Sequence, residues 1–358
     1  MLNIRTSSRR HHRMGRVAGF ILLAWFGGAL VAQQRTFDLR EQVRDAEIIV
    51  VADVVSVHEL KKDDVQINSQ SIPALILDAD IHVLSTLKGG PVPANATVRF
   101  TMPITPAGSV GYHGPTASAR SVLFLRRSDD RFQLANAFNP VLPAITASPE
   151  NASGEPLAEV LSELASVLDS PRIRDQFKLA LIYDLGNTPD PGALTILKRH
   201  LHDSDFAVSS AVAAALIQQG DLSGLEKGQQ ILVAPPKGVP NYLLVNLSSA
   251  IARYVKDERT IPLLSTLLKA PGAESRRAAA LALRNTRSQN VIPSLIYCLN
   301  DDDIEVRYYG VIGLGEITNQ PEWRPLMDDF VSQERKYLQY WRAWGARYKT
   351  VSEQKNGS

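Results

Sequence analysis

The segment HLHDSD, from His200 to Asp205, is the most metal-like cluster in the sequence. The two histidines are separated by one residue, and with the two carboxylates they are ligands that zinc and other divalent ions accept. The stretch LNDDD, Leu299 to Asp303, has aspartates at positions that match those of the LHDSD portion. Aspartates before a helix can accept hydrogen bonds from its first backbone N–H groups. Because capping explains both stretches and a metal explains one, the sequence predicts helix caps and no metal site.

Cys298, the one cysteine of the chain, is a candidate nucleophile. It lies in the apolar segment IPSLIYCLN, and no histidine follows it in the sequence. A reactive thiol needs an activating partner. Free cysteines are commonly core residues, so Cys298 is predicted to be a buried structural thiol.

Two further segments are candidate binding surfaces. The loop GSVGYHGPTASAR, residues 108–120, carries three glycines and His113 but has no phosphate-binding pattern, so it is predicted to be a glycine-rich connection. The segment RKYLQYWRAWGARY, residues 335–348, mixes aromatic and basic side chains. That mixture suits a partner surface or a membrane interface. It also suits a terminal helix that covers the last repeat of an array, which is the prediction favoured here.

The elements before residue 136 follow the two-residue period of strands. A short helix is predicted from Thr36, followed by a β-branched strand over 46–57 and an alternating strand that begins at Leu75. ATVRFTM, SVLFLRR and RFQLA complete a predicted set of about five strands. One helix followed by five strands indicates a compact β-barrel or sandwich. Residues 136–156 are rich in Pro, Ala, Ser and Asn and are predicted to be a linker.

From residue 157 the apolar period becomes helical, and the sequence repeats itself. Ile261 and Pro262 return as Ile292 and Pro293, a step of 31 residues (292−261), and Arg276 returns as Arg307. A helix pair of this length cannot bury its apolar faces alone, so pairs are expected to stack. The predicted helical segments are 157–168, 172–186, 189–201, 205–218, 220–233, 242–255, 258–269, 273–285, 288–299 and 304–317.

The segment DDDIEVRYYGVIGLGEI resembles the HEAT-like repeat of the phycobilisome-lyase type. Its matching residues are Val306, Arg307, Gly310, Leu314 and Gly315. The resemblance covers residues 157 to about 350 and implies an α-solenoid, whose second helices line a concave face. It implies no single activity.

Some enzymes of the HEAT-like kind hold two irons through His-Glu pairs on successive helices. Here the one such pair, His58-Glu59, is in the β-region, which argues against a di-iron enzyme. The strands over 46–127 are similar to the OB-like domain of secreted bacterial proteins and of the netrin-like inhibitor family. That family depends on an N-terminal cysteine, which this chain lacks, so inhibition is not implied.

The first 32 residues have the pattern of an export signal. Five arginines precede the apolar run VAGFILLAWFGGALVA over 17–32, which is short for a membrane-spanning helix. Removal after Ala32 is predicted, with an uncleaved membrane anchor as the alternative. Without the leader, Lys+Arg falls to 34 (39−5) against 37 Asp+Glu, so no basic excess remains to attract nucleic acid.

These observations predict an α+β multidomain protein with a leader at 1–32, a small OB-like β-barrel at 34–135, a linker at 136–156 and HEAT-like repeats with a capping helix at 157–350. The predicted function is a secreted or periplasmic, non-catalytic scaffold that binds a protein and needs no cofactor. An enzyme or a lyase-like ligand holder, with its site in the β-domain loops or on the concave face, is the alternative. The predicted protein-binding residues are Arg253, Arg277, Arg284 and Tyr308.

Overall fold

The computed structural model describes residues 38–67, 70–104, 114–128, 131–135, 141–145 and 154–356. The leader and residues 108–113 of the glycine-rich loop lie outside these ranges. Residues Phe37–Ser358 form one compact unit of α+β architecture, in which a β-sheet region precedes a helical region. Within the described ranges, no helix combines the length and the apolar character that crossing a membrane requires.

The β-sheet region follows a short first helix, whose start is capped by the side chain of Asp38. The two longest strands, β1 and β2, form an antiparallel hairpin. The predicted strands are all present. β6 is an addition, because it lies within the segment predicted to be a linker. The bounds are α1 (Leu39–Asp45), β1 (Ile48–Ile67), β2 (Gln70–Lys88), β3 (Asn95–Pro103), β4 (Arg120–Ser128), β5 (Arg131–Leu134) and β6 (Val141–Pro143).

The strand pairings run from β1 through β2, β3, β5 and β4, and β4 pairs with β1 in turn. All of these pairings are antiparallel except the one between β3 and β5. Alternate residues of the strands share one apolar core, as the period of two predicts. That core contains Ile48, Val50, Ala52, Val54, Leu77, Ala79, Ile81, Val98, Phe100, Leu123, Leu125 and Phe132.

The helical region matches the predicted segments to within a few residues at each end. Short 3₁₀ turns at Glu258–Thr260 and Gln289–Val291 lead into α8 and α10. The bounds are α2 (Pro156–Asp169), α3 (Asp175–Gly186), α4 (Pro191–Arg199), α5 (Phe206–Gln218), α6 (Leu222–Val233), α7 (Asn241–Tyr254), α8 (Ile261–Leu267), α9 (Ala273–Thr286), α10 (Ile292–Cys298), α11 (Ile304–Ile317) and α12 (Met327–Asn356).

The second helices of successive pairs pack directly on one another, in the order α3, α5, α7, α9 and α11. Small residues make this approach possible. Ala279 and Ala282 are fully buried in α9. In α11, a Cβ atom at Gly313 would lie 3.5 Å from Arg284 Cβ on α9 and 2.9 Å from the Leu295 side chain on α10, the first helix of its own pair. Side-chain bulk at these positions would force the helices apart.

The two regions share a buried boundary. The side chain of Glu163, on α2, accepts a hydrogen bond of 2.5 Å from the backbone N–H of Ile145, just after β6. The backbone N–H of Leu39 donates to the buried Thr188 hydroxyl at 3.1 Å. Apolar residues of α1, β1 and β4 belong to the same core as the helices. The β-sheet region is therefore continuous with the first helix pairs in its packing.

The last helix, α12, packs across the final helix pair. Phe330 and Trp341 are completely buried there, and the Trp341 indole donates to the Trp323 carbonyl at 3.2 Å. The rings of Trp323 and Tyr340 stack 3.6 Å apart. Most of the aromatic side chains of this segment thus cover the apolar end of the stack.

Candidate functional site

The aspartates of the two predicted turns cap helices. Asp205 accepts from the backbone N–H groups of Ala207 and Val208 at 2.7 and 3.0 Å. Asp303 accepts from the N–H groups two and three residues ahead at 3.0 and 3.2 Å. Asp203 and Asp301 each receive the N–H of the residue two positions later at 2.8 Å. The prediction of caps is confirmed, and the same bonds recur in both turns.

His200 is largely buried and lies between two carboxylates. Its Nε2 atom is 3.2 Å from Asp169 and its Nδ1 atom is 3.4 Å from Asp203. His202 is exposed. Over the described ranges, no three or more His, Cys, Asp or Glu side chains are grouped so that they could hold a metal ion. Nδ1 holds the turn after α4 through Asp203, whereas Nε2 lies near the Asp169 carboxylate at the end of α2 without a hydrogen bond to the described residues.

Cys298 is completely buried, as the sequence predicts. Burial raises the pKa of its thiol far above the usual range, so the thiolate is strongly disfavoured. Its Cβ atom packs 3.0 Å from the position that a Cβ on Gly310 would take. Cys298 is a packing residue between α10 and α11.

A serine, a histidine and an aspartate meet on the exposed side of β1 and β2. The Ser56 hydroxyl lies 2.9 Å from His58 Nε2 and donates to Asp80 at 2.8 Å. The same His58 nitrogen is 3.2 Å from the same Asp80 oxygen. Hydrogen bonds from Ser56 and Thr97 lower the pKa of the Asp80 carboxyl. Since Asp80 binds the hydroxyl directly, it competes with His58 for the hydroxyl proton, unlike the orienting carboxylate of a catalytic triad.

Two of the four predicted binding residues form ion pairs between neighbouring helices. Arg277 donates to both carboxylate oxygens of Asp303 at 2.9 and 2.6 Å. Arg284 donates to both oxygens of Glu316 at 2.7 and 2.6 Å. Both guanidinium groups lie on α9 and both acids belong to α11 or its cap. Each pair therefore joins one repeat to the next and keeps only part of its surface open to solvent.

The other two predicted residues differ in exposure. Tyr308 is partly buried against Phe330, with ring centroids 5.4 Å apart. Arg253 is exposed, and its guanidinium lies 5.6 Å from the ring centroid of Tyr254. No ion pair of Arg253 forms within the described part of the chain. Of the four residues, Arg253 is thus the most accessible to a partner.

Exposed aromatic side chains on the second helices were not predicted from the sequence. Phe177 and Tyr183 on α3 are 47% and 60% exposed, and Tyr242 and Tyr254 on α7 are 56% and 36% exposed. The helix between them, α5, contributes small half-buried residues, namely Ala207, Ala211 and Ala214. The 31-residue repeat could have predicted that Tyr183 is exposed, because Tyr183 aligns with Ala214 (214−183) on the solvent side of the second helix.

The repeated arginines, Arg276 and Arg307, have the same double role. Arg276 donates to the Ala270 and Pro271 carbonyls, each at 3.1 Å, and Arg307 donates to those of Asp301 and Asp302 at 2.8 and 2.9 Å. Each also binds an acid of the following unit: Arg276 binds Asp301, and Arg307 binds Glu334. The repeat position of these arginines therefore marks a junction that holds successive units together.

Comparisons with known proteins concern about half of the chain. Similar solved structures include the CpcE–CpcF complex of phycocyanin lyase from Nostoc sp., with 16% identity, 51% of this chain and 72% of that chain covered, and a TM-score of 0.37. An engineered protein has 17% identity, coverages of 51% and 94%, and a TM-score of 0.33. Human deoxyhypusine hydroxylase in complex with glycerol has 17% identity, coverages of 53% and 74%, and a TM-score of 0.24.

No protein-family model matches the sequence, and no curated protein matches it. Phycocyanin lyase, with its helical repeats, is of the kind that the repeat pattern resembled. The prediction that this chain is not an enzyme is contradicted by the presence of a lyase among the similar structures, and it is withdrawn.

Proposed function

We propose that the helical region binds a protein partner through the exposed side of its second helices, in an assembly role or a lyase-like role. The observation that carries this proposal is the group of exposed aromatic residues on α3 and α7, beside the exposed Arg253. Aromatic and arginine side chains are enriched among residues that dominate protein interfaces. On α5, the helix between them, the half-buried alanines present little side-chain bulk.

The proposed site includes the predicted residues Arg253, Arg277, Arg284 and Tyr308. In this proposal Arg253 contacts the partner directly. Arg277 and Arg284 fix the spacing of the second helices through their ion pairs with Asp303 and Glu316. Tyr308 ties α11 to the last helix. The partner is a protein, and the site requires no nucleic acid and no cofactor.

The architecture proposed for this role is a HEAT-like α-solenoid at residues 157–350 that follows a small OB-like β-barrel at 34–135. The stacked order of the second helices supports the first part. The pairing of β4 with β1, which closes the order of strands, supports the β-barrel. Residues 136–156 connect the two, although β6 also joins this connection to the sheet.

An envelope location is proposed as well. The basic start and apolar run of residues 1–32 support export to the periplasm or the medium, with membrane anchoring by this segment as the alternative. The intact mass of the protein isolated from its native cell measures this directly. Export with cleavage gives a chain that starts near Gln33, whereas anchoring gives the full-length chain in the membrane fraction.

A quantitative pull-down from the native envelope tests the binding surface. The full chain is compared with Tyr183→Ala and Arg253→Glu, and with Tyr297→Ala as a matched control. Tyr297 is 51% exposed but lies on α10, a first helix. Capture of a defined partner by the wild type and the control, with loss in the two other variants, supports the proposal. Equal capture by all four proteins contradicts it.

A further inference from the structure

A groove of about 700 Å³ lies between the turn after α10 and the last helix. One wall is formed by Asp301, Asp302 and Arg307, and the other wall is formed by residues of α12: Glu334, Arg335, Leu338, Gln339 and Arg342. Pockets of this size hold ligands or short peptide segments. Because the walls are strongly charged, the charges that are left uncompensated decide what the groove can bind.

Two acidic side chains of the groove are neutralised by arginines. The Asp301 carboxylate accepts from two nitrogens of Arg276 and is only 7% exposed. The Glu334 carboxylate is 2.5 Å from Arg307 Nε. These two acids are therefore matched by two arginines, of which Arg276 lies behind the groove wall.

The remaining charges are two arginines and one aspartate. Arg335 is exposed and forms no hydrogen bond or ion pair within the described part of the chain. Arg342 donates one nitrogen to the Leu299 carbonyl at 2.7 Å and is otherwise exposed. The Asp302 carboxylate has no partner among the described residues and faces the groove. The lining itself has three acids and three arginines, and because Arg276 behind the wall neutralises Asp301, one positive charge is left uncompensated (two minus one).

The preceding repeat shows what such a junction normally holds. There Arg276 uses both Nε and Nη2 for the two oxygens of Asp301, which belongs to the aspartate-rich turn of the next repeat. At the last junction Arg307 makes the same two carbonyl bonds but uses only Nε for Glu334. Here α12, whose backbone is non-helical at Gln333, follows instead of another aspartate-rich turn. One donor nitrogen of Arg307 is thus left without a described partner beside the groove.

We propose that this groove binds an acidic segment of a partner protein, which enters where the aspartate-rich turn of a further repeat would lie. Arg335 and Arg342 are seven residues apart, about 10 Å along the helix, so they face the same side. They bind two carboxylates of the segment, with Leu338 beneath the backbone between them. The free nitrogen of Arg307 donates one further hydrogen bond to a carboxylate of the segment.

The proposal is independent of the face on α3 and α7, and it is tested with a peptide. The probe is a fluorescent peptide with the sequence LNDDDIE, copied from the turn at Leu299–Glu305, and the control peptide is LNNNNIQ. Binding to the full chain is measured by fluorescence anisotropy at low and moderate salt. We expect saturable binding of the acidic peptide, weakening as salt rises, and no saturable binding of the amide peptide.

Two variants test the groove in opposite directions. Arg335→Glu reverses an uncompensated charge without breaking an internal contact, and it should weaken peptide binding about tenfold or more. Asp302→Asn removes the opposing carboxylate and should tighten binding severalfold. Arg347→Glu on the same helix is the control, because Arg347 is exposed but does not line the groove. It should leave affinity within about twofold.

Four results would overturn the proposal. The first three are equal binding of the two peptides, equal effects of the Arg335 and Arg347 variants, and full displacement of the peptide by an equal concentration of pyrophosphate, which would indicate a site for small anions. Self-association of the chain that Arg335→Glu abolishes, without peptide binding, would make a second copy the occupant and would also overturn it.

Discussion

Arg276 and Asp301 are joined by two parallel hydrogen bonds across the boundary between successive helix pairs. Arg276 Nε lies 2.8 Å from Asp301 Oδ2 and Nη2 lies 3.0 Å from Oδ1. The side chains are 16% and 7% exposed. This pair connects α9 to the turn before α11. It shows how a charged position of the repeat can hold the stack together.

Removal of this arginine is predicted to destabilise the protein strongly. Arg276→Ala leaves the buried Asp301 carboxylate and two carbonyl groups without their donor, and such a loss costs about 3 kcal/mol or more. Urea unfolding followed by circular dichroism measures the change. Arg259→Ala is the control, since its pair with Asp257 is exposed, and it should leave the midpoint unchanged. Equal midpoints for both variants would show that the buried pair contributes nothing.

Close packing at Gly310 gives a second prediction. A methyl group there would lie 2.9 Å from the Leu295 carbonyl and 3.0 Å from Cys298 Cβ, so α10 and α11 would have to separate. Gly310→Ala should therefore lower stability by about 1–3 kcal/mol despite the better helix propensity of alanine. Gly272→Ala, whose added methyl meets its nearest atom at 3.7 Å, is the matched control. A stabilised Gly310→Ala protein would contradict the close approach.

The pH dependence of stability should depend on Asp184. Burial raises the pKa of this carboxyl from 3.8 to about 7. Below the ordinary carboxyl pKa the group is protonated in both the folded and the unfolded chain and costs nothing. As pH rises towards about 7, only the unfolded chain ionises freely, so the free energy of unfolding falls, and it levels off above that pH.

Asp184→Asn should remove this dependence and stabilise the protein at pH 8 by up to about 4 kcal/mol. Chemical denaturation at several pH values between 4 and 8 measures the effect. The control is Asp302→Asn, which removes an exposed carboxylate; an equal change in this variant would show that the effect is not specific to Asp184. Parallel pH profiles for the wild type and Asp184→Asn would refute the assignment.

The last helix is predicted to be needed for the stability of the stack. A chain truncated after Asn319 loses Phe330 and Trp341, both completely buried, and exposes the apolar side of α10 and α11. We expect a lower melting temperature and poorer solubility. Trp341→Ala should cost about 3–5 kcal/mol in the full chain, whereas Val331→Ala, at an exposed position, should cost little. An unchanged melting temperature on truncation would make α12 a binding element instead.

Interactions between residues that are close in the sequence determine much of the fold of this protein. The 31-residue step from Arg276 to Arg307 located the helix pairs, because apolar faces of fixed period must stack to be buried. The aspartates before α5 and α11 identified the helix starts, because capping is a contact between residues two or three positions apart. Cys298 was placed in the core by its apolar neighbours. Each of these inferences used interactions within one helix or between adjacent ones.

Only the tertiary structure decided which charged groups find partners. Arg277 and Arg284 looked available to a binding partner in the sequence, yet Asp303 and Glu316 lie 26 and 32 residues away in the chain and neutralise them. Asp184 lies 31 residues before Ala215 (215−184), so it occupies the position at which the next repeat has a small packing residue. Burial of the Asp184 carboxyl raises its pKa. An ion pair and a desolvated carboxyl depend on distances between separate elements. The packing of the helices sets those distances, and the order of the residues along the chain does not.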